Sequence, residues 1–251
     1  MLAISDVHHA LVPLRRLIAL GEPVLILGDL VNLTDYRTGE GAIADVLGVD
    51  FANDVGRARA AGDFRRMRDI WMAAMGEGAK TIQDSIREAL ERQYQEVAEA
   101  LAGGSGYALH GNVDRPAMLR ESLPPGIEYV HAESRTIGGR VFGFAGGGVA
   151  TPVGAQGEVS DDDMNDILES LGPVDVLCTH VPPAVDPLRT DVVTGRSERG
   201  SQPILDYILA RQPSLHLFGD VHQPQASTWR IGRTVCRNVG YFRATGRGLV
   251  I

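Results

Sequence analysis

Short apolar runs recur along the chain, and each is bounded by Gly, Pro or Asp. Most of them do not alternate with polar residues, which is typical of strands that are buried on both faces. Because helical patterns separate these runs, the sequence predicts a layered α/β fold. The runs occupy residues 2–4, 24–27, 107–109, 141–144, 174–178, 215–218 and 249–251.

Two stretches in the second half of the chain predict β-hairpins. RTIGGRVFGFAGGG and STWRIGRTVCRNVG each place glycine between two segments of β-prone residues. We expect the turns at Gly138-Gly139 and at Gly232.

The longest helical pattern covers about 54–101 and is interrupted by GEG at 76–78. Its first part carries an apolar stripe at helical spacing, formed by Phe64, Met67, Trp71 and Met75. Core packing is the simplest role for this stripe, and a lid or a dimer face is the alternative. We therefore expect one domain over residues 1–251 with a helical insertion at about 54–101.

The overall composition limits the classes of partner. The chain has 251 residues, 44% hydrophobic and 22% charged, with a net charge of −8. General nucleic-acid binders and membrane-surface binders carry a basic face, so this charge argues against both. A phosphate ester remains a suitable substrate, because bound metal ions can supply positive charge locally.

Cysteine use and the N-terminus predict a cytoplasmic location. Cys178 and Cys236 form neither a CxxC motif nor a disulfide framework, which favours a reducing compartment. The segment MLAISDVHHA lacks the pattern of a signal peptide. No apolar run approaches the ~20 residues that a membrane helix needs.

Candidate chemistry appears where the apolar runs end. Five of the runs are followed by Asp, His or Asn, the residue types that bind hard and borderline divalent metals. Each of these features alone is common in turns, so their repetition along the chain is the signal. The residues are Asp6, His8, Asp29, Asn112, His180, Asp220 and His222.

The loops at the carboxyl ends of strands converge on one crevice in layered α/β folds. The pairs Asp6/His8 and Asp220/His222 are two residues apart, so each pair would point the same way from an extended chain. About seven ligands are too many for one zinc ion. They fit two metals that share a bridging carboxylate, the arrangement used for displacement at phosphorus.

The order DxH, GDLVN, GNVD, TH and GDVH resembles the calcineurin-like metallophosphoesterases, whose pattern is D-x-H, G-D, G-N-H-D/E, H and G-H-x-H. The match runs from Asp6 to His222. The resemblance implies a four-layer α/β/β/α sandwich with two central mixed β-sheets. It also implies two divalent metal ions and a bridging hydroxide as the nucleophile.

Transferred to this chain, the resemblance gives each metal four ligands, with Asp29 as the bridge. The first metal would be held by Asp6, His8, Asp29 and His222. The second metal would be held by Asp29, Asn112, His180 and Asp220.

Two positions depart from the family pattern. Val113 stands where the family has a histidine near the leaving oxygen, and valine can neither donate a proton nor stabilise charge. His9 and Arg115 are candidates for that role, although both residues are also common on surfaces. Related sequences without the histidine tend to act on phosphodiesters, so a phosphodiesterase is expected.

The second departure is Asp220, which replaces the first histidine of G-H-x-H. Three carboxylates then face two divalent ions, where the family pattern brings two. The additional carboxylate favours harder ions over zinc. We therefore expect manganese, with iron, zinc and magnesium as alternatives.

The loop at 182–201 is rich in Pro and Gly and lies between the last two motifs. Arg189, Arg196 and Arg199 are candidates for binding the substrate, and a solvated loop is the alternative. Three functions are consistent with the sequence: a phosphodiesterase, a non-catalytic metal-binding scaffold, and a phosphomonoesterase or protein phosphatase. The oligomeric state is not encoded in any pattern described above.

Overall fold

A computed structural model describes residues 1–35, 38–76, 78–151 and 154–251. The chain forms two compact units. The first comprises Met1–Leu30 and Val97–Ile251, and the second comprises Val31–Glu96. No helix within the described residues is both long and apolar enough to cross a bilayer.

The first unit contains two large mixed sheets. In one sheet, four parallel strands are joined by one antiparallel edge strand in the order β15-β1-β2-β3-β4. Its strands are β1 (Leu2–Ile4), β2 (Val24–Leu27), β3 (Gly106–Leu109), β4 (Ile127–Tyr129) and β15 (Leu249–Val250).

The other sheet has six strands in the order β13-β14-β12-β9-β6-β5. Its four inner strands are parallel, and an antiparallel hairpin closes each edge. The two predicted hairpins are these edges, which confirms the hairpin predictions. The strands are β5 (Glu133–Ile137), β6 (Arg140–Ala145), β9 (Val176–Thr179), β12 (Leu215–Phe218), β13 (Thr228–Ile231) and β14 (Thr234–Asn238).

Two short strand pairs lie in connecting segments. One is parallel and the other is antiparallel. They are β7 (Gly148–Val149) with β8 (Glu158–Val159), and β10 (Thr190–Asp191) with β11 (Arg196–Ser197).

Side chains between the two sheets form one hydrophobic core. Leu25 and Leu27 of the first sheet pack there with Val176, Cys178 and Leu217 of the second, and all five are fully buried. Burial of both sheets explains why their apolar runs lack alternation.

Helices cover the opposite face of the second sheet. Met164 and Leu168 of one helix and Ile208 of another pack in a second core with Leu177 and Phe218. The helices of the first unit are α1 (Leu11–Ile18), α6 (Pro116–Ser122), α7 (Asp161–Leu171), α8 (Asp186–Arg189), α9 (Gln202–Arg211) and α10 (Phe242–Thr245).

The boundaries of α7 and α9 follow from their capping residues. The Ser160 hydroxyl accepts from the Asp163 N–H at the start of α7, and the Ser201 hydroxyl accepts from the Ile204 N–H at the start of α9. Gln212 ends α9 in the left-handed conformation.

The two mixed sheets and the helices packed on them confirm the predicted α/β sandwich with two central mixed sheets.

The second unit is helical and contains the predicted 54–101 pattern in part. At the start of this unit, the Gln93 side chain fixes the backbone of Asn32. It accepts from the Asn32 N–H at 2.7 Å and donates to the Asn32 carbonyl at 3.1 Å. The rings of Phe51 and Trp71 pack edge to face. The helices are α2 (Ala42–Leu47), α3 (Val49–Ala60), α4 (Phe64–Met75) and α5 (Ala79–Leu101), of which α5 continues into the first unit.

The apolar stripe on α4 is only half-buried at Met67, Trp71 and Met75, and the side chain of Phe64 lies outside the described residues. Residue 77 of the predicted helix break also lies outside them. The insertion as a lid or a dimer face stays a prediction.

Candidate metal centre

In the first unit, the loops that follow β1, β2, β3, β9 and β12 meet at the carboxyl ends of these strands. The Asp6 N–H donates to the Gly28 carbonyl at 3.1 Å, and the His8 N–H donates to the Asp29 carbonyl at 2.8 Å. In the second sheet, the Gly219 N–H donates to the His180 carbonyl at 2.8 Å. These backbone contacts place the predicted ligand residues side by side.

The backbone turns sharply at these residues, so the extended chain from which each i,i+2 pair would point the same way is not formed here. Among the described residues, seven other than glycine have a positive φ, and five of them lie in these loops. Such conformations cost energy and concentrate at functional sites. The five are Asp6 (58°), His8 (42°), His9 (63°), Asp29 (56°) and Asp220 (64°).

The two carboxylate oxygens of Asp29 face different halves of the cluster. Oδ2 lies 3.7 Å from His8 Nε2, and Oδ1 lies 3.4 Å from His180 Nε2. Oδ1 also accepts from the Val113 N–H at 3.1 Å, which fixes the orientation of the carboxylate. A carboxylate in this arrangement could bridge two cations.

The His180 ring is held in one orientation by the strand beside it. Its Nδ1 lies 2.7 Å from the Leu27 carbonyl, a contact that requires a hydrogen on Nδ1. Nε2 therefore points into the cluster, where Asp220 Oδ1 lies 3.8 Å away. Such support by a backbone carbonyl is usual for metal-binding histidines.

The Asn112 amide completes this half of the cluster. Its Oδ1 lies 3.1 Å from His180 Nε2 and faces the carboxylate of Asp29. A reversed amide would instead donate to both oxygens of Asp29, at 3.0 and 3.2 Å. The orientation of an amide is assigned from its partners, and a cation at this position favours the oxygen pointing inward.

The other half of the cluster is formed by Asp6, His8 and His222. Asp6 Oδ1 is buried and has no hydrogen-bond partner among the described residues. It faces His222 Nε2 at 3.6 Å and His8 Nε2 at 3.9 Å. A buried carboxylate oxygen opposite two imidazole nitrogens fits a divalent cation, because a cation satisfies all three atoms.

Among the residues that the structure describes, two sets of Asp and His side chains are therefore close enough to bind metal ions. Asp6, His8 and His222 form one, and Asp6, Asp29 and His180 form the other, with ligand atoms within 4.8 Å of one another. Asp6 belongs to both sets, whereas the resemblance in sequence predicts Asp29 as the bridge.

Opposite charges within the cluster shift one another's pKa values. Burial raises the pKa of Asp29, but the His180 and His8 imidazoles lower it to about 2. Burial lowers the pKa of His180, but the carboxylates of Asp29, Asp220 and Asp6 raise it well above its usual value. A divalent cation would compete with a proton for the lone pair of His180 Nε2.

Asp220 adds a third carboxylate to this cluster. Its backbone N–H donates to Asp6 Oδ2 at 3.1 Å. Burial raises its pKa, His180 opposes this, and Asp6 and Asp29 add to it, giving a value of about 7. Three carboxylates this close repel one another, and divalent cations would relieve the repulsion.

His9 and Arg115, the candidates to replace the missing histidine, lie close in sequence to the candidate ligands His8 and Asn112. His9 follows His8 and donates its backbone N–H to the Leu30 carbonyl at 2.8 Å. Arg115 is partly buried and precedes α6. Their participation in catalysis stays a prediction.

The three predicted substrate-binding arginines lie in different surroundings. Arg189 pairs with Asp186 through Nε at 3.0 Å. Arg199 donates to the Ala150 carbonyl at 2.8 Å, and Arg196 is exposed on β11. The β10–β11 hairpin is attached to the segment after His222, since the Val192 N–H donates to the Gln223 carbonyl at 2.9 Å.

Asp114, the last residue of GNVD, has a structural role that sequence reasoning did not assign. Its fully buried carboxylate accepts from the N–H groups of Asp29, Leu30 and Gly111, at 2.8, 3.1 and 2.9 Å. It thereby joins the loops after β2 and β3. Its position within the GNVD motif was the available signal.

Sequence reasoning also overlooked Tyr241. Its ring stacks on His222 with centroids 3.8 Å apart and an angle of 2°, and it meets His8 edge on at 6.1 Å. A lone tyrosine far from every motif offered no signal.

No family model and no curated protein matches this chain. A solved structure with a similar fold is that of TT1561 from Thermus thermophilus. The two structures align with a TM-score of 0.51 and 14% identity, over 95% of this chain and 88% of that chain. At this identity the similarity shows a shared fold, in agreement with the layered α/β sandwich described above.

Proposed function

We propose that this protein is a metal-dependent phosphoester hydrolase that acts on phosphodiesters. The observation that carries the proposal is the pair of Asp/His sets that share Asp6, with Asp29 facing both halves. When bound, a pair of divalent ions supplies positive charge to the phosphoryl oxygens and lowers the pKa of water.

The residues of the chain would position those ions and the substrate. Asp6, His8 and His222 would hold one ion. Asp29, Asn112, His180 and Asp220 would hold the other, with Asp29 or Asp6 as the shared ligand. His180 keeps its orientation through Leu27, and Asp29 keeps its orientation through the Val113 N–H. Manganese is the proposed metal, because oxygen ligands are numerous in the set.

The charge distribution supports an anionic substrate. Residues 221–251 contain five arginines and no Lys, Asp or Glu, which gives a charge of +5. The rest of the chain then carries −13, since the total is −8. Arg243 of this basic segment donates to the His8 carbonyl at 3.4 Å, so positive charge lies beside the candidate metal centre.

Val113 favours substrates that need little help from a proton donor. General acid catalysis is worth roughly 10²- to 10⁴-fold, and valine cannot provide it. We propose that His9 donates the proton or that Arg115 stabilises the charge on the leaving oxygen, and that Arg189, Arg196 and Arg199 contact the leaving group.

The test is hydrolysis of bis-p-nitrophenyl phosphate and p-nitrophenyl phosphate by the manganese-loaded protein. We expect a higher kcat/KM for the diester, and loss of both activities in Asp29→Asn and after treatment with EDTA. Faster turnover of the monoester would instead support a phosphomonoesterase. Bound metal without activity on either compound would support a non-catalytic scaffold.

A further inference from the structure

We infer that residues 238–243 are a positioning element for the candidate metal centre, with Tyr241 fixing the ring planes of His222 and His8. This inference rests on the proposed metal-dependent function. It concerns residues that belong to none of the motifs and that contribute no ligand to either set.

The element first holds the loop that carries Asp220 and His222. The buried Asn238 side chain donates to the Gly219 carbonyl at 3.2 Å and to the Val221 carbonyl at 3.0 Å. Its Oδ1 accepts from the Gly240 N–H at 2.7 Å. One amide therefore connects the ligand loop to the turn that leads to Tyr241.

The same element holds the loop that carries Asp6 and His8. The Phe242 N–H donates to the Ser5 carbonyl and the Arg243 N–H donates to the Asp6 carbonyl, both at 3.1 Å. The Arg243 guanidinium reaches the His8 carbonyl at 3.4 Å. Both ligand pairs are thus attached to one short segment, although they lie at opposite ends of the sequence.

Tyr241 lies between these two sets of contacts and packs against both histidines. Its ring is parallel to the His222 ring. The angle between the Tyr241 and His8 rings is 75°, so these two rings meet edge on. The two histidine rings also meet edge on, with centroids 5.3 Å apart. Stacking of this kind restricts rotation of the imidazole, so His222 Nε2 stays directed at Asp6.

Groups that orient a metal-binding histidine are worth roughly 10- to 100-fold in metal affinity. We therefore expect Tyr241→Leu to weaken Mn²⁺ binding to the metal-stripped protein by about that factor. Tyr241→Phe keeps the ring and should bind Mn²⁺ as the wild type does. The matched control is Trp229→Leu, which removes a half-exposed aromatic ring from β13 and should leave Mn²⁺ affinity unchanged.

The affinity is measured by titration of each metal-stripped variant with MnCl₂ in competition with a fluorescent chelator. A second measurement follows the His222 imidazole protons by NMR in metal-free protein. The stacked ring should shift them upfield in the wild type and in Tyr241→Phe, and Tyr241→Leu should lose the shift. A merely structural role would change the melting temperature without separating Phe from Leu at this position.

Wild-type affinity in Tyr241→Leu would overturn the inference and leave the proposed function standing. Equal loss in Tyr241→Phe and Tyr241→Leu would also overturn it, because the ring would then not be the cause. A wild-type protein that binds no Mn²⁺ would overturn the proposed function, and the inference with it.

Discussion

The Nε2 atoms of His8 and His222 lie 3.3 Å apart, and both face the buried Oδ1 of Asp6, at 3.9 and 3.6 Å. Two neutral imidazoles can share at most one hydrogen across such a contact, so a cation satisfies this geometry better than a hydrogen bond does. The relationship joins residues from the first and the last motif.

Metal removal should therefore destabilise the protein. A ligand that binds only the folded state stabilises it by about 2.7 kcal/mol at a concentration of 100 times Kd. We expect Mn²⁺ to raise the melting temperature of the metal-stripped wild type and to have a much smaller effect on Asp6→Asn. Differential scanning fluorimetry with and without EDTA measures this.

Asp166→Asn is the control, because it removes an exposed carboxylate from α7. It should respond to Mn²⁺ as the wild type does. An equal Mn²⁺ shift in Asp6→Asn would show that the Asp6 carboxylate is not a ligand.

Replacement of Asp220 by histidine should change the metal preference. The substitution removes one carboxylate and adds an imidazole, so the site should take up more zinc relative to manganese. Elemental analysis of both proteins after loading from an equimolar mixture of Zn²⁺ and Mn²⁺ measures the ratio. Identical metal content in wild type and Asp220→His would contradict the prediction.

Gly28 should not tolerate a side chain. Its φ is +93°, and a Cβ there would lie 2.5 Å from the Gly111 N and 2.8 Å from His180 Nδ1. Backbone strain and steric overlap together should lower the free energy of unfolding of Gly28→Ala by about 3 kcal/mol or more. Urea denaturation of the metal-free protein measures the change.

Gly21→Ala is a matched control for this comparison. Gly21 also has a positive φ, +72°, but a Cβ there would meet nothing within 4 Å. The free energy of unfolding of Gly21→Ala should fall by only about 1 kcal/mol, the cost of the left-handed conformation. Equal losses in the two variants would mean that the close approach at Gly28 is unimportant.

Asp114→Asn should be destabilising even though it preserves shape. The carboxylate accepts from three backbone N–H groups, and an amide would direct its own NH₂ toward one or more of them. We expect a loss of about 1–3 kcal/mol in urea denaturation. Asp166→Asn should stay within about 0.5 kcal/mol of wild type, and a similar loss in both variants would contradict this role for Asp114.

His216 should make stability depend on pH. Burial lowers its pKa to about 3, its Nε2 lies 2.8 Å from the Thr179 hydroxyl, and its Nδ1 has no partner among the described residues. The pKa of His216 in the folded protein lies below its unfolded value of about 6.5. Protonation of this group therefore costs no stability above pH 6.5, and the free energy of unfolding falls progressively as the pH drops from 6.5 toward 3.

When the pH is lowered from 7 to 5, the free energy of unfolding of the wild type should fall by about 2 kcal/mol more than that of His216→Leu. Urea denaturation at both pH values measures the difference. Parallel pH profiles for the two proteins would show that His216 is not buried in its neutral form.

Local patterns in the sequence were sufficient for the strands of the two large sheets other than β4, and for the position of the candidate ligands along the chain. Strands buried on both faces require continuous apolar runs, and the polar residues that end them stand out. The left-handed turns at Asp6 and Asp220 were not predicted, because neighbouring loops impose them through hydrogen bonds such as that from the Asp6 N–H to Gly28.

The sequence by itself determined which residue types follow each strand, and hence that acids, imidazoles and an amide occur at strand ends. Only the tertiary structure decided which atoms face one another and which residues support them. Asp114, Asn238 and Tyr241 act on partners in other loops. Contacts between residues far apart in sequence leave no local periodicity, because only the packing of the two sheets brings their loops together.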